Sequence, residues 1–270
     1  MSQPWNSLFC RCDDAVAVAQ TLRETLVAAG YTPYDPFGMI PGPAYREHRR
    51  LFVAPAAGGW VRVIGAPDAA LLPPLSRLGL CLLLALNGDE AAVSVYADGA
   101  PADLEPALAP YLRPGCAADD LRRVLLGDAP GAARQPTPET LPLDALPPDV
   151  AALVGRVNPA QAQKLFDRLG GQLLGKTGGA DEAEAARALI VGQGQPDWNS
   201  PGGARLRALA DCLALPADWR QPDFITLRDA YQLHRRRRQN PNARLYPGDA
   251  DAMARVPDAL DYQPVYGGRS

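Results

Sequence analysis

Apolar positions in the first 126 residues follow two periods. Val18, Leu22, Leu26 and Ala29 recur at helical spacing, with Asp13 and Asp14 as candidate N-caps and Gly30 as the stop. Two short apolar runs, 51–55 and 60–65, flank Ala57-Gly58-Gly59, and two more, 80–86 and 92–97, flank Asn87-Gly88. Each pair predicts an antiparallel hairpin, because glycine supplies the positive φ of a tight turn. A short helix is expected over 69–78, with Pro73-Pro74 confined to its first turn, and two more over 103–112 and 118–126. Between the first helix and the first hairpin, residues 31–45 are rich in Pro, Gly and aromatics. A loop that keeps Tyr31, Tyr34, Phe37 and Tyr45 is expected to be packed down on the body of the protein.

Period and composition change after residue 126. Six prolines fall between Gly127 and Asp149 without sustained periodicity, which predicts a semi-extended linker over 127–149. Beyond it the helical period returns. Asn158-Pro159 opens a stripe through Ala162, Leu165, Phe166 and Leu169 that stops at Gly170-Gly171, and Asp181 with Glu184 opens a second that stops at Gly192. Ser200-Pro201 opens a third through Leu206, Leu209, Ala210 and Leu213. Thr226 with Asp229 opens a fourth, which runs into Arg235, Arg236, Arg237 and Arg238 and ends before Asn240-Pro241. The last thirty residues are turn-rich and are expected to form an irregular arm. The fold class predicted is α+β: an N-terminal antiparallel sheet with helices on one face over 1–126, the linker 127–149, and a small helical bundle with its arm over 150–270.

Charge adds an asymmetry. The net charge is −3, but residues 1–150 carry 11 Arg/Lys against 17 Asp/Glu, while residues 151–270 carry 16 against 13. Only the second part has electrostatic grounds for an anionic partner. The longest apolar stretch, 78–86, is about half of what a bilayer span needs. With no basic-then-apolar leader at the N-terminus, a cytoplasmic location without membrane contact is expected.

Candidate chemistry is sparse. Residues 170–177 spell G-x-x-x-x-G-K-[ST], with Gly170, Gly175, Lys176 and Thr177 at the phosphate-binding positions. A working phosphate loop lies between a buried strand and a helix, whereas helical spacing precedes this string and Gly178-Gly179 follows it. The favoured reading is a helix C-cap with a Gly-rich connector, and nucleotide binding stands as an alternative. Five cysteines, Cys10, Cys12, Cys81, Cys116 and Cys212, show neither C-x-x-C spacing nor an even count, so no disulfide framework or zinc site is expected. Cys81 and Cys212 read as core residues, and Cys10 and Cys12 lie where a helix N-terminus favours a thiolate. Neither His48 nor His234 has an acid at triad or metal spacing, and Asp249-Ala250-Asp251 is too short for a calcium loop, so no cofactor, metal or catalytic residue is assigned.

The remaining candidates are binding residues. Trp198 and Trp219 flank the third helix, where they staple helices or anchor a partner. Arg235, Arg236, Arg237 and Arg238 form a collar that complements the helix dipole and offers cations to an acidic protein or to nucleic acid. The expected function is a non-catalytic protein-binding or adaptor role.

Overall fold

The computed structural model describes residues 5–37, 45–126 and 196–270. The helices expected over 158–169 and 181–192, the linker 127–149, and Gly170, Gly175, Lys176 and Thr177 lie outside the described residues. By backbone proximity the chain forms two compact units. The larger comprises Asn6–Ala85, Ala92–Asp128 and Leu206–Ser270; the described residues of the smaller are Trp5, Leu86–Ala91 and 196–205.

The eight described strands form one sheet in the order β2-β8-β3-β4-β1-β5-β6-β7. These are β1 (Trp5–Cys10), β2 (Thr32–Pro33), β3 (Glu47–Val53), β4 (Val61–Gly65), β5 (Cys81–Asn87), β6 (Glu90–Ala97), β7 (Ala100–Pro101) and β8 (Gln263–Arg269). Helix α1 (Ala15–Ala28) begins where the Asp14 carboxylate accepts the Ala17 N–H. α2 (Leu72–Leu75), α3 (Leu104–Leu108), α4 (Ala118–Leu126), α5 (Pro201–Cys212), α6 (Phe224–Gln239) and α7 (Asp249–Arg255) follow.

Strand alternation sends neighbouring residues to opposite cores. Leu51 and Val53 of β3, Val61 and Val63 of β4 and Val265 of β8 meet Val18, Leu22 and Leu26 of α1. Phe52, Ile64 and Tyr266, one residue out of phase, meet Leu227 and Ala230 of α6 with Val256 and Tyr262. Helices therefore cover both faces, where sequence predicts one. The second cover comes from α6, which packs on the sheet and joins the same unit as the N-terminal strands. The α+β class holds, with antiparallel pairing in β1·β4, β3·β4, β3·β8, β2·β8 and β6·β7.

The C-terminal arm departs from expectation. The residues read as an irregular arm contain α7 and β8, and β8 pairs with all seven residues of β3, from Glu47↔Arg269 to Val53↔Gln263. Gly268 is what lets it in: a Cβ there would overlap the Tyr45 ring, which lies across the strand. The outermost strands, β2 and β7, are two residues long and each includes a proline, Pro33 or Pro101, which blunts the open edges.

Cys116 and Cys212 form a disulfide, with Cα atoms 5.6 Å apart, between the turn before α4 and the end of α5. This corrects the reading of Cys212 as a free core thiol. The pairing joins positions 96 residues apart, and such non-local proximity leaves no spacing signature. Alongside it, Arg113 donates its backbone N–H to the Cys212 carbonyl at 2.8 Å and pairs with Asp211 at 2.6 Å. In the smaller unit, Ser200 caps α5 by accepting the Gly203 N–H at 3.1 Å, and Asp197 donates its N–H to the Gly88 carbonyl at 3.3 Å.

Candidate functional site

Helix α6 begins at Phe224 because the Asp223 carboxylate accepts the N–H groups of Ile225 (2.9 Å) and Thr226 (3.0 Å). The cap thus lies three residues before the Thr226 read from sequence. Leu227 and Ala230 turn toward the sheet, and the helix ends at Gln239 with Arg236, Arg237 and Arg238 in its last turn. Cations there complement the partial negative charge of the free carbonyls.

The four arginines do not act together. Arg235 makes a bidentate pair with Asp35 (3.0 and 2.7 Å), tying α6 to the loop after β2, and its hydrogen bond holds the Asp35 carboxyl below the usual range. Arg236 turns the other way, donating to the Arg244 carbonyl at 3.2 Å. The guanidinium carbons of Arg236 and Arg244 each lie 5.9 Å from the Tyr246 ring centroid. Tyr246 is 57% exposed, an uncommon state for a large aromatic. Arg237 and Arg238 are exposed and make no ion pair among the described residues. The outcome is an exposed ring with two guanidinium groups beside it and two more cations on the adjoining helix turn.

The tryptophans take other parts. Trp219 is 8% exposed, with Arg220 over its ring at 5.7 Å. Trp198, in the smaller unit, is half-buried edge-on against Trp5, centroids 5.0 Å apart. Both are packed against other rings or cations, so the exposed aromatic beside the collar is Tyr246. Sequence reading passed over Tyr246 because it lay in the supposed arm; the available signal was Arg244-Leu245-Tyr246 followed by Pro247-Gly248.

Both histidines are packing residues. His48 meets the Tyr34 hydroxyl at 3.0 Å, and His234 meets the Met253 carbonyl at 3.2 Å. The loop 31–37 is packed down as expected: Tyr34 and Phe37 lie on Phe52, Tyr231 and Tyr266 at centroid distances of 4.9–6.3 Å. Cys10, Cys12 and Cys81 are free thiols. For Cys10, contact with Cys12 pulls the pKa down, but Cys81 and burial push it above the ordinary range. Cys12 is also raised, first by its hydrogen bond with Cys10 and then by burial, so its surroundings oppose the thiolate that a helix N-terminus can stabilise. No group of three or more His, Cys, Asp or Glu among the described residues is arranged to hold a metal ion. No family model, no curated protein and no solved structure matches this chain.

Proposed function

We propose that the protein is a non-catalytic binding protein that docks an acidic segment of a protein partner on the end of α6. The observation that carries this is the exposed Tyr246 within 5.9 Å of the Arg236 and Arg244 guanidinium groups, with Arg237 and Arg238 on the adjoining helix turn. Tyrosine and arginine are the residue types enriched at interaction hot spots. An acidic segment supplies carboxylates to guanidinium groups that have none, and its apolar side chains cover the ring.

The test is the affinity of a fluorescein-labelled glutamate–leucine peptide, measured at low and high salt beside single-stranded oligouridylate. The reading expects the peptide to bind more tightly, with an affinity that falls with salt and drops at least about tenfold in Arg237→Glu/Arg238→Glu or Tyr246→Ala. Tighter oligouridylate binding would transfer the surface to nucleic acid, where Tyr246 becomes a base-stacking platform. Binding of neither probe would overturn the proposal.

A cytoplasmic location belongs to the same reading. No described helix is long and apolar enough to cross a membrane, and Cys10, Cys12 and Cys81 are free. The Cys116–Cys212 bond weighs the other way, since a reducing cytoplasm opens such bonds.

A further inference from the structure

The turn before α6, the first turn of that helix and the end of α7 surround an open cavity of about 450 Å³. Its polar lining is Asp218, Gln221, Thr226, Arg255, Asp258 and Tyr262. That volume falls within the usual range for small-molecule sites.

Tyr262 is 5% exposed as a residue, lines the cavity, and its hydroxyl, which keeps access to solvent, has no protein hydrogen-bond partner among the described residues. Burial, followed by the charges of Asp258 and Asp218, pushes its pKa up to about 12, so it remains a donor at neutral pH. The wall beside it is fixed from behind. Arg62 is 6% exposed, and its Nη1 donates to the carbonyls of Gln221 (2.6 Å) and Asp218 (3.3 Å).

The side chains at the mouth are unengaged. The carboxylates of Asp218 and Asp258 and the guanidinium of Arg255 are exposed and form no ion pair among the described residues. Asp223, close by, is different: its carboxylate is occupied by the α6 cap and by the Thr226 hydroxyl at 2.6 Å.

The geometry points to a binding site for a small zwitterion of the α-amino-acid type, its ammonium held by Asp218 and Asp258 and its carboxylate by Arg255 and the Tyr262 hydroxyl. A simple anion would meet two carboxylates. A simple cation would present no acceptor to the Tyr262 hydroxyl or to the Arg255 guanidinium. The site is separate from the Tyr246 surface and does not rest on that reading.

The experiment is a thermal-shift screen of the full chain against the common amino acids at up to about 10 mM, followed by calorimetric titration of the best one. Its decarboxylated amine and its N-acetyl derivative serve as matched controls. At least one amino acid is expected to give a saturable shift, with both derivatives binding about tenfold or more weakly. Asp258→Asn should weaken binding to a similar degree. Tyr262→Phe, which removes a hydroxyl with no protein partner, should weaken it about fivefold without lowering the melting temperature of the unliganded chain. The inference is overturned if no amino acid binds. It is also overturned if the amine binds as well as its parent, or if both variants bind as the native chain does.

Discussion

Replacing Arg62 tests whether a buried guanidinium clamps the 218–221 turn to the sheet. Its Nε donates to Ser7 Oγ at 2.7 Å, and its Nη1 bonds to two carbonyls, the shorter at 2.6 Å. Three hydrogen bonds from a cation at about 1.5–3 kcal/mol each give roughly 4–9 kcal/mol before costs. Against this stands desolvation, the first cause by which its pKa falls from 12.5 to about 10. A fall of that size corresponds to about 3–4 kcal/mol. Asp218 and Gln221 are exposed, so water can replace some of what their carbonyls lose, whereas Ser7 is fully buried. Arg62→Met, which keeps an aliphatic stem, should therefore lose about 1–3 kcal/mol. Arg62→Ala also gives up the buried stem, at about 0.8 kcal/mol per methylene, and should lose about 2 kcal/mol more. Urea denaturation at neutral pH provides the measurement, read as a lower midpoint at unchanged slope. Apolar replacement of a poorly compensated buried charge can be neutral or stabilising. An Arg62→Met chain as stable as the native one would mean that desolvation outweighs the three bonds, and the clamp argument would be wrong.

Two further outcomes are expected. Opening the Cys116–Cys212 bond, or replacing both with Ser, releases a cross-link over a separation of 96 residues, for which chain entropy sets a ceiling of about 4.7 kcal/mol. The unreduced, denatured chain should show three reactive thiols and the reduced chain five; five in both would remove the bond. Quenching thiols in intact cells before counting also tests the cytoplasmic location. For Asp35, the folded carboxyl is lowered, so its ion pair with Arg235 contributes fully above the ordinary value of 3.8 and is lost as pH falls below it. The pair is half-exposed, so Asp35→Asn should cost only about 0.5–1 kcal/mol at pH 6. That gap should narrow as pH falls below 3.8, and a gap independent of pH would refute the assignment.

Elements whose evidence is local were legible in the sequence. Asn87-Gly88 marks the turn between β5 and β6, and Gly88 has φ 61°. The stripe Val18, Leu22 and Leu26 marks α1 and its buried face. Elements defined by distant partners were not. In Trp5–Cys10 no polar–apolar alternation appears, because Ser7, Leu8, Phe9 and Cys10 are all fully buried and β1 lies between β4 and β5. β8 contains Pro264, Gly267 and Gly268, residues that signal turns until Tyr31 and Tyr45 are seen filling the space a side chain would take. At the candidate surface the arginines were visible as a run. Which of them Asp35 engages depends on a contact across 200 residues.

The position of β8 bears on how the polypeptide emerges from the ribosome. Glu47 faces Arg269 across 222 residues, so β3 is made long before the strand that covers its open side. Until 263–269 have left the exit tunnel, the nascent sheet presents a bare seam along β3, to which β2 is not yet joined, able to recruit a foreign strand. Sheet closure is consequently a late, slow event with high contact order, and chaperone occupancy during synthesis should peak over that seam.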